Sequence, residues 1–125
     1  MIVLHCELKS SKNSRRVVRL RNGRTLVLKS QAASEQDKFF DKELPAHAEE
    51  WKKLIEGHSC PIKVGFYVYR QTKRRWDWMN ILQGLADAMV KHMYLEDDDA
   101  YHFTPIFLGW DVDKNDPRIE ISVVK

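Results

Sequence analysis

The sequence predicts a single α+β domain over residues 1–125, with a mostly antiparallel sheet, a β-hairpin and two main helices. Three observations lead there. Short apolar runs rich in β-branched and aromatic residues recur at 1–8, 62–69, 101–110 and 118–124. Asn22-Gly23 stands between two further short runs, where a hairpin turn belongs. From Trp78 onward, Ile81, Leu85, Ala88 or Met89, and His92 recur at helical spacing beside Leu82, Ala86, Met89 and Met93. Strands and helices that segregate in this way describe an α+β layer arrangement. With 125 residues and a hydrophobic fraction of 43%, the chain builds its core without disulfide or metal staples.

Each element has its local reason. Residues 1–8 form a first strand, followed by a polar loop, Ser10-Ser11-Lys12-Asn13-Ser14. Residues 16–21 and 25–28 form the hairpin arms, with the positive φ angles of a type I′ turn assigned to Asn22-Gly23. Ser30 or Ser34 caps a helix that runs to about Leu44, where Pro45 marks a kink or a new first turn. The helical pattern resumes over 46–55, with Trp51, Leu54 and Ile55 as core contacts and Gly57 as its stop. Asp77 occupies the N-cap position of a helix over 78–93. The last two strands are joined by a polar turn around Asp113-Lys114-Asn115-Asp116-Pro117.

No run of about 20 apolar residues is present, so a membrane-spanning helix is excluded, and Met1-Ile2-Val3-Leu4-His5 has no signal-peptide pattern. Cys6 and Cys60 make no metal-type pair, and two buried thiols in a reducing cytoplasm are expected. The net charge of +3 is modest, but its distribution is not. Lys9, Lys12, Arg15, Arg16, Arg19, Arg21, Arg24 and Lys29 form a basic stretch with no intervening acid, and Arg70, Lys73, Arg74 and Arg75 form a second block. The acids gather at Glu96-Asp97-Asp98-Asp99 and more loosely at Asp111, Asp113 and Asp116. One surface suited to a polyanion and another suited to a cation are the expectation.

The histidines His5, His47, His58, His92 and His102 have no i, i+4 pairing and read as structural. No nucleophile elbow, phosphate loop or dinucleotide fingerprint is present. Asp111-Val112-Asp113-Lys114 superficially matches a nuclease D-x-K element, but it falls in a polar turn. The chemistry-bearing region is 73–99. Asp87 follows Asn80 by seven residues, close to two helical turns, so both share one face. Glu96-Asp97-Asp98-Asp99 offers the hard oxygen ligands that Mg²⁺ selects.

In this region the chain resembles the RusA-type Holliday junction resolvases, whose motif reads R-R-x-D-x-D-N, then an Asp seven residues on, then an aromatic-x-D-D loop. Arg74-Arg75-Trp76-Asp77-Trp78-Met79-Asn80, Asp87 and Tyr94-Leu95-Glu96-Asp97-Asp98 carry the resemblance. Ser11-Lys12-Asn13 and Gly23-Arg24 are similar to the family's opening loop and hairpin. The family's second motif Asp falls at Met79, and its helix-borne Lys at Gln83. The resemblance implies a homodimeric, Mg²⁺-dependent endodeoxyribonuclease that resolves branched DNA in recombination and repair, encoded by a bacterium or prophage and working in the cytoplasm. It implies Asp77 and Asp98 as metal ligands, with Asp97, Asn80 and Asp87 as further catalytic residues. Lys12, Arg15, Arg16, Arg24, Arg70, Lys73, Arg74 and Arg75 are the DNA-binding candidates, and Trp76 or Trp78 is a candidate for stacking on an unpaired base. The alternative is a family member that binds branched DNA without cutting it, to which the Met79 departure points. A helix over 78–93 is about 24 Å long, and the five residues to Asp98 span at most about 18 Å. Asp77 and Asp98 are therefore expected to meet across an antiparallel dimer rather than within one chain.

Overall fold

A computed structural model describes residues 1–9, 15–29 and 31–125. In chain order the elements are β1 (Ile2–Leu4), β2 (Arg15–Arg19), β3 (Thr25–Lys29), α1 (Gln31–Ala46), α2 (Ala48–Ile55), β4 (Ile62–Arg70), α3 (Trp78–Lys91), β5 (Phe103–Val112) and β6 (Arg118–Val123). β2 and β3 pair as an isolated hairpin, and the other four strands form one sheet in the order β1-β6-β4-β5.

This is a small α+β domain, but its sheet is mixed. β6 runs antiparallel to β1 and β4, whereas β4 and β5 are parallel along their whole length, from Ile62↔Phe103 to Arg70↔Val112. The reason lies in the connection. A chain that leaves β4, crosses through a helix and returns as a strand delivers that strand parallel to the first. The antiparallel expectation therefore holds for two of the three ladders of this sheet, and the β4·β5 ladder departs from it.

Directly paired residues share a face. Ile62, Val64, Phe66 and Val68 of β4, Ile119 and Ile121 of β6, and Ile2 and Leu4 of β1 are buried on one face. The helices cover that face with Phe40 and Leu44 of α1, Trp51 of α2, and Ile81, Leu82, Leu85 and Met89 of α3. The opposite face carries Tyr67 and Tyr69, whose rings lie 5.0 Å apart, and Arg118, whose Cζ stands 3.7 Å from the Tyr69 ring centre.

Several local expectations need correction. The helical stretch around Pro45 is two helices, giving three in all. Pro45 is accommodated in the last turn of α1, and the break falls at His47, whose N–H donates to the Glu43 and Leu44 carbonyls, both at 3.2 Å. Within the hairpin turn only Gly23 has positive φ, at 81°. Its N–H donates to the Leu20 carbonyl, and Leu20 N–H donates to the Arg24 carbonyl, which makes a three-residue loop ending in a glycine bulge rather than a type I′ turn. Asn22 instead uses its side chain, accepting from Arg24 N–H at 3.0 Å. Cys60 is exposed and Cys6 only half-buried, with burial pushing the Cys6 thiol up to about 12. Ser30 and residues 10–14, Lys12 among them, lie outside the described residues.

Helix α3 ends two residues earlier than the periodicity suggests. Tyr94 N–H donates to the Met89 carbonyl and Met93 N–H to the Val90 carbonyl, the two bonds of a Schellman stop. The left-handed position of that motif, φ 65°, is occupied by Met93, whose side chain is exposed instead of joining the core. Beyond it, Tyr94 turns back into the interior. Its hydroxyl donates to the Leu44 carbonyl at 2.6 Å, and its carbonyl accepts from Trp51 Nε1 at 2.9 Å.

Candidate nucleic-acid interface

The start of α3 forms one wall of a cleft of about 720 Å³, lined by Leu8, Lys9, Arg70, Arg75, Trp76, Asp77, Met79 and Asn80 among others. Two brackets position other residues of its lining. Arg70, at the end of β4, donates through Nη1 to the Leu8 carbonyl at 2.9 Å and pairs through Nη2 with Glu7 Oε1 at 3.2 Å. Glu7 Oε2 accepts from Gln71 N–H at 2.9 Å, so one carboxylate ties the strand end to the following loop. Gln36 of α1 holds Lys9 from the other side, accepting from its N–H at 2.7 Å and donating to its carbonyl at 3.1 Å.

Asp77 caps α3 as the sequence indicates. Its Oδ1 accepts from the N–H groups of Met79 at 3.1 Å and Asn80 at 3.4 Å, and its Oδ2 accepts from Asn80 Nδ2 at 3.0 Å. A carboxylate has about four lone-pair sites, so three are engaged and about one remains for a cation. Asp77 and Asn80 are thereby brought together. Met79, exposed at 66%, stands beside them and offers no oxygen.

The basic candidates divide by environment. Lys73, Arg74 and Arg75 are exposed on the loop between β4 and α3, whereas Arg70 is committed to Leu8 and Glu7 and lies 4.9 Å from the Trp76 ring centre. Arg24 is exposed at the hairpin turn. Arg15 and Arg16 belong to β2, paired with Lys29 and Leu28.

The acidic run lies beyond the other end of α3. His102 closes it, with Nδ1 at 2.7 Å from Asp99 Oδ1 and Nε2 at 3.0 Å from Glu96 Oε2. The Asp99 hydrogen bond is the main reason the His102 pKa is raised, and the same bond holds the Asp99 carboxyl below its usual range. Asp97 Oδ1 accepts from Asp98 N–H at 2.8 Å. Asp87 is exposed midway along α3.

Fourteen helical residues place the two ends of α3 about 21 Å apart. Among the described residues, no group of three or more His, Cys, Asp or Glu side chains stands close enough to hold a metal ion.

A feature missed in the sequence is aromatic. Trp76 contacts Trp78, Phe107 and Trp110 at ring-centre distances of 6.1, 6.1 and 5.6 Å, and Trp78 packs on Phe66 and Phe107. Trp76 and Trp78 are half-buried inside this group, while Phe107 and Trp110 of β5 present its exposed side. No helix among the described residues is long and apolar enough to cross a membrane. Compared with known proteins, the chain matches no family model and no curated protein.

Proposed function

We propose that the protein is a RusA-type, structure-specific endodeoxyribonuclease that acts on branched DNA as a homodimer in the cytoplasm. The observation that carries this reading is the cleft at the start of α3, which Asp77 and Asn80 of the resembling motif line together with Lys9 and Arg75. Exposed cations beside a carboxylate and its amide partner suit a phosphodiester: the cations attract the backbone, and the polar pair faces the strand. Mg²⁺, when bound, would supply polarisation of a phosphoryl oxygen and activation of water. With Asp77 at the start of α3 and Asp98 beyond its end, a two-fold dimer in which Asp77 of one copy approaches Asp98 of the other would unite the two candidate ligands.

A second reading, a branched-DNA binding protein that does not cut, is favoured by Met79 and by the three bonds already made to Asp77. A synthetic four-way junction and a linear duplex of matched sequence separate the two, incubated with Mg²⁺, with Mn²⁺ and with EDTA. Metal-dependent nicking of the junction alone supports the nuclease. Tight junction binding with no product in either metal leaves the binding protein, and equal weak binding to both DNAs removes branched DNA from the account.

A further inference from the structure

We infer that Trp110, with Lys73 beside it, forms a stacking platform for one unpaired nucleotide of a DNA strand. The inference deepens the DNA reading above and rests on it. It begins with an irregularity in β5. The β4·β5 register shifts between Phe66 and Tyr67, so that Phe66 pairs with Phe107 but Tyr67 pairs with Gly109, leaving Leu108 as an inserted residue. In a regular strand, residues three apart point to opposite faces. The inserted residue cancels that alternation, and Phe107 and Trp110 emerge on the same side, both against Trp76. Gly109 makes the bulge affordable: its φ is 139°, and a Cβ there would lie 3.1 Å from Tyr67 Cε2.

The result is a supported ring. Trp76 meets Trp110 nearly edge-on at 71°, and the Arg70 guanidinium covers Trp76. Trp110 stays 39% exposed and Phe107 42% exposed. Beside Trp110 is a cavity of about 330 Å³, lined by Lys73, Trp110, Asp111 and Val112. That volume lies at the small end of ligand sites, which start near 300 Å³. A flat ring held by packing, next to a long flexible cation, matches a base and its phosphate. Asp111 Oδ1 accepts from Val112 N–H at 2.7 Å. Arg74 and Arg75 continue the exposed cations from Lys73 toward the cleft. The combination decides between occupants: a nucleotide can stack its base on the ring and pair its phosphate with Lys73 at once, and an apolar peptide would gain nothing from this row of cations.

The test measures binding of fluorescein-labelled oligo(dT), a four-way junction and a linear duplex by anisotropy, with the wild-type chain, Trp110→Ala, Trp110→Phe and Lys73→Gln. Base stacking is lost on alanine substitution, so Trp110→Ala should weaken oligo(dT) binding by about 5- to 150-fold. Duplex binding should change less than about twofold, as expected when phosphate contacts dominate. Trp110→Phe should recover most of the loss, which a folding defect in the alanine variant would not explain. Lys73→Gln should lower the log–log salt slope on oligo(dT) by about 0.7. If oligo(dT) and junction affinities are unchanged in Trp110→Ala while the wild-type protein binds DNA, the platform is refuted and the DNA reading survives. If the wild-type chain binds none of the three DNAs, the functional reading fails and the platform with it. If Trp110→Ala instead turns a dimer into a monomer in light scattering with oligo(dT) affinity intact, the patch is a self-association face and the inference is overturned.

Discussion

Asp77 is assigned two jobs, capping α3 and binding a cation, and a pair of substitutions separates them. Asp77→Ala removes both; Asp77→Ser keeps a hydroxyl able to accept from the Met79 and Asn80 N–H groups while removing the carboxylate. Losing an N-cap costs about 1 kcal/mol, within a range of about 0.5–2. At about 2.1 cal/mol/K of unfolding entropy per residue, a chain of 125 residues loses about 4 °C of Tm for each kcal/mol. Asp77→Ala should therefore melt about 4–6 °C below wild type, as cap and helix-dipole contributions are lost together. Asp77→Ser gives up only the charge at the helix N-terminus, about 0.5 kcal/mol, and should melt about 2 °C lower. Calorimetric scans give the stability, and the four-way junction assay with Mg²⁺ gives the activity. Both variants should abolish metal-dependent nicking to a similar degree. Equal melting losses for Ser and Ala would refute the cap argument. Nicking retained by the serine variant would show that the carboxylate is not a metal ligand.

Further expectations concern other parts of the chain. Met93 holds φ 65° with its side chain exposed, so Met93→Gly should raise stability by about 1 kcal/mol in urea titrations through relief of left-handed strain; a destabilised variant would contradict the Schellman assignment. Asp41 accepts from Lys91 Nζ at 3.0 Å and His92 Nε2 at 2.8 Å, and these hydrogen bonds hold its carboxyl below the usual 3.8. A lowered carboxyl stabilises the fold above its unfolded value and loses that effect as pH falls through its folded value. Asp41→Asn should therefore lower Tm at pH 7 and converge on wild type near pH 2, and a constant difference across that interval would rule out the linkage. Neutralising Arg15, Arg16 and Arg24 should reduce the log–log salt slope of DNA binding by about 3; an unchanged slope would remove the hairpin from the interface.

How far the sequence carries can be judged residue by residue. Asp77 as a cap, Gly57 as a helix stop and the arms flanking Asn22-Gly23 were all readable, because each rests on backbone chemistry within a few residues. The parallel pairing of β4 with β5 was not extracted, because register is a long-range property and the two runs look alike whichever way they lie. Met93 at the left-handed position defeated a pattern reading that counts methionine as core. The length of α3, from which a wide spacing of Asp77 and Asp98 is argued, was readable to within two residues. The contact of Trp76 with Trp110 did not, because it depends on one inserted residue in β5 that composition does not mark. Arg70 was read as a surface cation from its place in a basic block, but Glu7 and the Leu8 carbonyl, more than sixty residues earlier, engage it.

The placement of the four tryptophans gives the chain two optical channels. Trp51 is 2% exposed and stacked on Tyr94 at 5.0 Å, sealed from any aqueous quencher. Trp76, Trp78 and Trp110 are neighbours at 5.6 and 6.1 Å, close enough to exchange excitation energy and to share a response to whatever touches the outermost ring. Iodide should therefore extinguish part of the emission and leave a blue-shifted remainder from Trp51. That remainder would follow the docking of α2 against the end of α3, while the quenchable part would report on the β5 side of the molecule, with no added label.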